Sequence, residues 1–155
     1  DLDPTPAAPF SRVVTIAKYV LAALKDGHYH AAIKTSGSRG LHIFIALPPR
    51  TTYPKAQEFA RIIATTVAED YPKEATVQRS IAKRPRGTVY ADFLQNAEGK
   101  SVAAAFSVRA RDGAPVSMPI AEKELATGLR IEDFTIANAA AQAAKRGKIW
   151  ENGLR

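Results

Sequence analysis

Two stretches carry the side chains best suited to chemistry. The first is Lys34-Thr35-Ser36-Gly37-Ser38-Arg39-Gly40-Leu41-His42, a small basic turn between two apolar runs. Gly37 and Gly40 permit positive φ, which lets successive backbone N–H groups converge on an anion. The hydroxyls of Ser36 and Ser38 can donate to a phosphate, Lys34 and Arg39 add charge, and His42 opens the outgoing strand at the mouth of the turn. No helix follows directly, so the segment is neither a P-loop nor a dinucleotide fingerprint, and its composition is equally that of an ordinary hairpin turn. The second stretch is Asp1-Leu2-Asp3. In a strand the two carboxylates share a face and repel each other unless a cation lies between them. Such an all-oxygen site suits a hard ion, Mg²⁺ or Mn²⁺. By itself, Asp-x-Asp is equally a solvated stretch of chain. A third carboxylate, Asp92, falls in residues 87–94, where Tyr90, Asp92 and Leu94 share one strand face and Val89, Ala91 and Phe93 the other.

The elements that must position these groups can be read from periodicity. Pro4, Pro6 and Pro9 give an extended connection. Ser11 can then cap a helix running to about Asp26, with Val13, Val14, Ala17, Val20, Leu21 and Leu24 as its apolar stripe and Gly27 as its stop. Strands follow at 29–33 and 41–47. Tyr53-Pro54 opens a second helix to about Tyr71, burying Phe59, Ile62, Ile63 and Val67. With the strand at 87–94, the order strand, helix, strand, strand, helix, strand is the split βαβ arrangement of ferredoxin-like and RNA-recognition-type folds, an α+β sheet with both helices on one face. That topology brings the first and last strands close in space, so Asp92 can join Asp1 and Asp3. Just before the last strand, Lys83-Arg84-Pro85-Arg86 is either a solvated loop or a contact for a polyanion. Further on, residues 102–108 predict another strand, Glu122 to Ala126 a short helical piece, and Thr135 to Lys145 a helix stopped by Gly147. The only Trp, Trp150, falls in the tail.

Composition narrows the function classes. With 155 residues, 46% hydrophobic and 24% charged, the chain reads as one globular domain with a real core. No apolar run approaches the roughly 20 residues of a membrane span, so no membrane partner is expected. The chain opens without a basic n-region or apolar h-region, and a cytoplasmic location is expected. The absence of Cys removes disulfides and thiolate metal sites. A net charge of +7 favours a polyanionic partner such as nucleic acid or nucleotide.

Taken together, Asp1-Leu2-Asp3-Pro4, the segment Lys34 to His42, Asp92-Phe93-Leu94-Gln95-Asn96 and Ser107-Val108-Arg109-Ala110-Arg111 resemble the polymerase domain of bacterial ligase D, in the archaeo-eukaryotic primase superfamily. The resemblance extends over nearly the whole chain, with the four motifs in order and in register. It implies a polymerase that fills gaps and extends 3′ ends, often with ribonucleotides, in double-strand break repair by non-homologous end joining. It implies Mn²⁺ or Mg²⁺ held by Asp1, Asp3 and Asp92, and contacts to the incoming nucleotide from Ser36, Arg39, His42, Gln95 and Arg109. Its implied partners are DNA ends and nucleoside triphosphates, with a ligase domain and an end-binding protein in the native setting. Position 39 is usually Lys in that family; Arg39 keeps the charge but replaces a compact ammonium by a planar fork. The family's domain also has an N-terminal half that binds the DNA end, including its 5′-phosphate, and supplies a nucleotide-site His. None of that half is expected within residues 1–155, which correspond to the catalytic half and are expected to be weak or inactive alone. The competing expectation is a non-catalytic nucleic-acid-binding module of RNA-recognition-like fold, although the middle strands carry few of the aromatics such modules stack on bases.

Overall fold

The hairpin around the basic turn supplies two of the inner strands of a six-stranded sheet in the computed structural model, which describes residues 1–126 and 128–155. Its arms are β2 (Ala31–Thr35) and β3 (Leu41–Ile45), paired antiparallel from Ala31↔Ile45 to Thr35↔Leu41. The other strands are β1 (Leu2–Pro4), β4 (Ala75–Thr76), β5 (Val89–Ala91) and β6 (Pro119–Ile120), and the sheet order is β4-β5-β1-β3-β2-β6. The inner four, β5-β1-β3-β2, are the split βαβ core expected from the sequence; β4, parallel to β5, and β6, antiparallel to β2, extend it at either edge.

Helix α1 (Phe10–Asp26) turns its stripe of Val13, Ile16, Ala17, Val20 and Leu24 onto Leu2, Leu41, Val89 and Ala91 of the sheet. Each of these residues is buried, at the spacing of one helix face or alternate strand positions. Helix α2 (Tyr53–Asp70) packs beside α1 on the same face through Ala64 and Val67, and Tyr71 just beyond it stacks on Tyr19 of α1 at 3.7 Å. Pro54 sits in the first turn of α2, where its missing N–H is not needed. Helix α3 (Ile136–Gly153) crosses the opposite face over β2 and β6, where Trp150 meets Phe44 edge-on at 5.0 Å. Among the described residues no helix is long and apolar enough to cross a membrane.

Several local expectations change. Ser11 does not cap α1; the helix begins two residues earlier, at Phe10, with Pro9 at the cap position and no side-chain bond. Helix α3 does not stop at Gly147 but runs to Gly153, whose backbone abuts Ala31 and Ala32. The Trp150 contact and this close approach outweigh the penalty of about 1 kcal/mol for an internal Gly. The strand predicted at 102–108 does not form. Phe106 takes φ +67°, Val102 and Val108 stay about half exposed, and only a single bridge, Val108↔Val116, remains. A left-handed residue breaks an extended run. The helical piece at 122–126 is a 3₁₀ turn, Glu122–Leu125. Strand β5 ends at Ala91 because the Asp92 side chain accepts the N–H of Leu94, an Asx-type turn that stops the ladder.

Candidate active site

Strand β1 is central and short, and its alternation decides which groups face the site. Leu2 points into the core at 4% exposure, so Asp1 and Asp3 point the other way. Across the β1–β5 ladder Leu2 pairs with Ala91 and Asp3 with Tyr90. The next pair outward is Asp1 and Asp92: the Asp92 N–H donates to Asp1 O at 2.8 Å, and the Asp1 amino group donates to Asp92 O at 3.3 Å. On the other side β1 approaches β3 so closely at Gly40 that a Cβ there would collide with the carbonyl of Leu2 and reach to 3.5 Å from Asp3 Oδ1. Gly40 therefore serves a close strand approach, while Gly37, with φ +66°, serves the turn itself.

Asp92 is held by its neighbours. Its Oδ1 accepts from the Tyr90 hydroxyl at 3.2 Å and from the Leu94 N–H at 2.9 Å. Burial and the Asp92 carboxylate push the Tyr90 phenol above its usual range, so it stays a donor. The Arg84 guanidinium lies over the Tyr90 ring at 3.5 Å, which links the basic segment 83–86 to the carboxylates. Asp1 is different: its Oδ1 is buried without a hydrogen-bond partner, and His42 Nε2 lies 3.4 Å from it. Among the described residues no three Asp, Glu or His groups are drawn together tightly enough to hold an ion as they stand. The orphaned Asp1 oxygen is nonetheless the kind of buried acceptor that a cation satisfies, and Asp1, Asp3 and Asp92 offer the hard oxygens that Mg²⁺ or Mn²⁺ prefers.

His42 stands opposite Lys34 in the β2–β3 register. Lys34 is fully buried; its Nζ lies 2.7 Å from His42 Nδ1 and donates to Ser117 Oγ at 2.6 Å. Ser117 Oγ in turn donates to the Thr35 carbonyl at 2.7 Å. Burial, with the charge of Lys34 next, pushes His42 down to about 3, so the imidazole is neutral at ordinary pH. Burial, followed by the charge of Arg109, lowers Lys34 to about 8.

The basic turn is organised differently from the expected anion cradle. The N–H groups of Ser38 and Gly40 converge on Ser36 Oγ, at 3.1 and 3.0 Å, rather than on open space. The Ser36 hydroxyl keeps only its own proton to donate outward. Arg109 folds against the turn, donating to Ser36 O at 2.8 Å with its stem against Gly37. A cleft of about 420 Å³ is lined by Asp1, His42, Asp92, Gln95 and Arg109 on its polar side and by Ile43, Phe59 and Ile63 on its apolar side. Arg39 is not among its lining residues. It is exposed and, with Ser38, Lys18 and Arg130, lines a separate groove of about 550 Å³. The structure thus gathers Asp1, His42, Asp92, Gln95 and Arg109 on one cleft, places Asp3 beside it on β1, and links Ser36 to it through Arg109. Ser117 and Tyr90 were not singled out as site residues from the sequence, and Lys34 was read only as one of the charges on the turn. The shared strand face of Tyr90 and Asp92 was a legible signal; the approach of Ser117 to β2 from 82 residues away was not.

Residues 1–150 match the family model described as LigD, primase-polymerase domain. The chain belongs to the LigD primase-polymerase domain family. The multifunctional non-homologous end joining protein LigD of Pseudomonas aeruginosa is 36% identical over 125 residues, covering 81% of this chain and 15% of that protein. The bifunctional LigD of Bacillus subtilis is 30% identical over 148 residues, covering 95% of this chain and 24% of that protein. The solved polymerase domain of Mycobacterium tuberculosis ligase D, in complex with DNA, superposes with a TM-score of 0.86 at 26% identity, over 94% of this chain and 50% of that one. The chain therefore spans half of the solved LigD polymerase domain and less than a quarter of these two LigD proteins, and its α+β fold is that of the LigD polymerase domain.

Proposed function

We propose that residues 1–155 are the carboxylate-bearing, catalytic half of a LigD-type polymerase domain, which transfers nucleotides to a DNA 3′ end during double-strand break repair by non-homologous end joining. The observation that supports this best is the buried, unpartnered Asp1 Oδ1 facing a cleft that also holds His42, Asp92, Gln95 and Arg109. Asp1, Asp3 and Asp92 would hold Mn²⁺ or Mg²⁺, which when bound stabilises charge on the attacking and leaving oxygens of phosphoryl transfer. The chain's own groups then bind and orient. The Arg109 guanidinium, fixed on Ser36 O, and the Gln95 amide face the triphosphate from the cleft wall. The Ser36 hydroxyl donates its remaining proton, and Arg39 adds charge from the far side of the turn. The apolar wall excludes water from one side of the substrate. DNA ends and nucleoside triphosphates are the partners this assigns, with a ligase domain and an end-binding protein in the native setting.

The RNA-recognition-like alternative asks for exposed aromatics on the open sheet face. Phe44 lies on that face but is packed edge-on against Trp150 of α3. A Mn²⁺ titration followed by nuclear magnetic resonance tests the assignment: paramagnetic broadening should concentrate on Asp1, Asp3, Asp92 and His42, and nucleoside triphosphate should shift Gln95 and Arg109. Broadening spread evenly over the surface carboxylates would remove the metal site. Gap filling should be feeble with residues 1–155 and strong in the whole polymerase domain, because positioning of the DNA end contributes on the order of 7–11 kcal/mol in favourable cases.

A further inference from the structure

We propose that Lys34 is a positioning residue: its ammonium, anchored on Ser117, holds the His42 ring in the tautomer that turns an Nε2–H donor toward the cleft. This rests on the reading of His42 as a nucleotide-contacting group and goes beyond it, because Lys34 touches no substrate itself. Lys34 is fully buried, and its side chain shares the face of His42 across the β2–β3 ladder. A buried ammonium has only donors. One of its hydrogens goes to Ser117 Oγ at 2.6 Å, and Ser117 Oγ can only accept there, since its hydroxyl proton is committed to the Thr35 carbonyl at 2.7 Å. With that bond fixed, a second hydrogen points at His42 Nδ1, 2.7 Å away. Nδ1 must then accept, and the single proton of the neutral ring resides on Nε2. Nε2 lies 3.4 Å from Asp1 Oδ1 at the edge of the cleft.

The consequence is a neutral donor that needs no protonation event to face an anion. In the opposite tautomer Nε2 would present a lone pair to the Asp1 carboxylate and to any phosphate oxygen, and both contacts would become repulsive. The chain Thr35–Ser117–Lys34–His42 therefore runs from the backbone of β2, through the segment before β6, to the site. The groups that face Lys34 are His42, Ser117, the Phe44 ring at 5.5 Å and, through space, Arg109.

The test uses protein labelled with ¹⁵N histidine. In the wild type, His42 Nδ1 should resonate as a bare ring nitrogen and Nε2 as a protonated one; the reverse overturns the proposal without recourse to any variant. In Lys34→Met the ring should drift toward a mixture of tautomers, and Ser117→Ala, which keeps the ammonium but removes its anchor, should lie between. An unchanged wild-type tautomer in both variants also overturns it. Inorganic tripolyphosphate supplies the second readout: its affinity should fall about tenfold or more in Lys34→Met, the scale of one lost hydrogen bond to a charged group. If tripolyphosphate leaves the wild-type His42 signals unmoved, the nucleotide assignment fails, while the ring-nitrogen shifts still decide whether Lys34 sets the tautomer.

Discussion

The two faces of the inner sheet are made from alternating residues of the same strands, yet they are stabilised by different means. On the helix-covered face, Leu2, Leu41, Val89 and Ala91 meet Val13, Ile16, Val20 and Leu24, every contact apolar. On the opposite face, the neighbours of those same residues are Asp1, Asp3, His42, Tyr90 and Asp92, together with Lys34 on β2. One face is satisfied by packing. The other is satisfied only by specific partners, and at Asp1 Oδ1 it is not satisfied at all. The groups proposed to bind stand where the sheet gives up stability, and the core beneath makes that tolerable.

If the two faces divide labour in this way, substitutions on the first should change stability and those on the second should change binding. The largest loss of stability is expected for Ile16→Ala. Ile16 is fully buried, so equilibrium denaturation should show a loss of about 2–5 kcal/mol. A loss below about 1 kcal/mol would mean the α1 interface is slack rather than packed.

Next comes a polar cluster that is structural rather than facing the cleft. Arg146 donates to Pro119 O at 2.8 Å and to both oxygens of Glu124 at 3.0 and 3.2 Å, and lies over the Phe134 ring. Arg146→Met should therefore cost about 1–3 kcal/mol, read by the same denaturation. Its partner gives a pH signature. Burial alone would raise the Glu124 carboxyl, but the Ala121 N–H and the Arg146 guanidinium outweigh it and hold the group below its ordinary value. Its contribution is thus present above the unfolded value of about 4.3 and lost as pH falls through the folded one. Glu124→Gln should flatten that acid limb, and an unchanged acid limb would show the pair to be uncoupled.

Tyr90→Phe is a smaller test, on the boundary between the faces. It removes one donor to Asp92 Oδ1 and should cost about 0.5–1.5 kcal/mol. It should also loosen the Asp92 carboxylate, seen as weaker Mn²⁺ binding by calorimetry. The smallest stability effect belongs to Asp92→Asn, which should leave unfolding nearly unchanged or raise it at low metal, since carboxylate repulsion is relieved. Mn²⁺ affinity should nevertheless fall clearly. Equal affinities in the two proteins would remove Asp92 from the metal site.

The same division explains what could be read before the structure was known. The packed face was legible: helical spacing in residues 13–24 and strand alternation at 41–45 and 89–91 are what burial imposes, and the split βαβ order followed from them. On the polar face, residue type and spacing were enough to nominate Asp1, Asp3, Asp92 and His42, because alternation puts carboxylates on one side of a strand wherever that strand lies; Arg109 was nominated only by the family resemblance. Partnership was not legible. Ser36 looked like a free phosphate donor, but its oxygen serves two backbone N–H groups of its own turn. Lys34 looked like one more charge on a basic turn and is instead buried against Ser117. Arg39 looked adjacent to His42 in sequence, and the turn sends it into another groove. At 102–108 a left-handed residue, and at Gly147 the tertiary contacts of Trp150 and Gly153, override local propensity.

The pairing of Asp1 with Asp92 joins residues 91 apart, and the bond from Ser117 to Thr35 joins residues 82 apart, whereas the β2–β3 hairpin closes a loop of a few residues. Loop closure over such separations must be accomplished before either contact is rewarded. The hairpin can therefore form early and locally, while the cleft waits for Asp1, Asp92 and Ser117 to be brought together. During refolding, or on a ribosome, the protein will own a turn long before it owns a site.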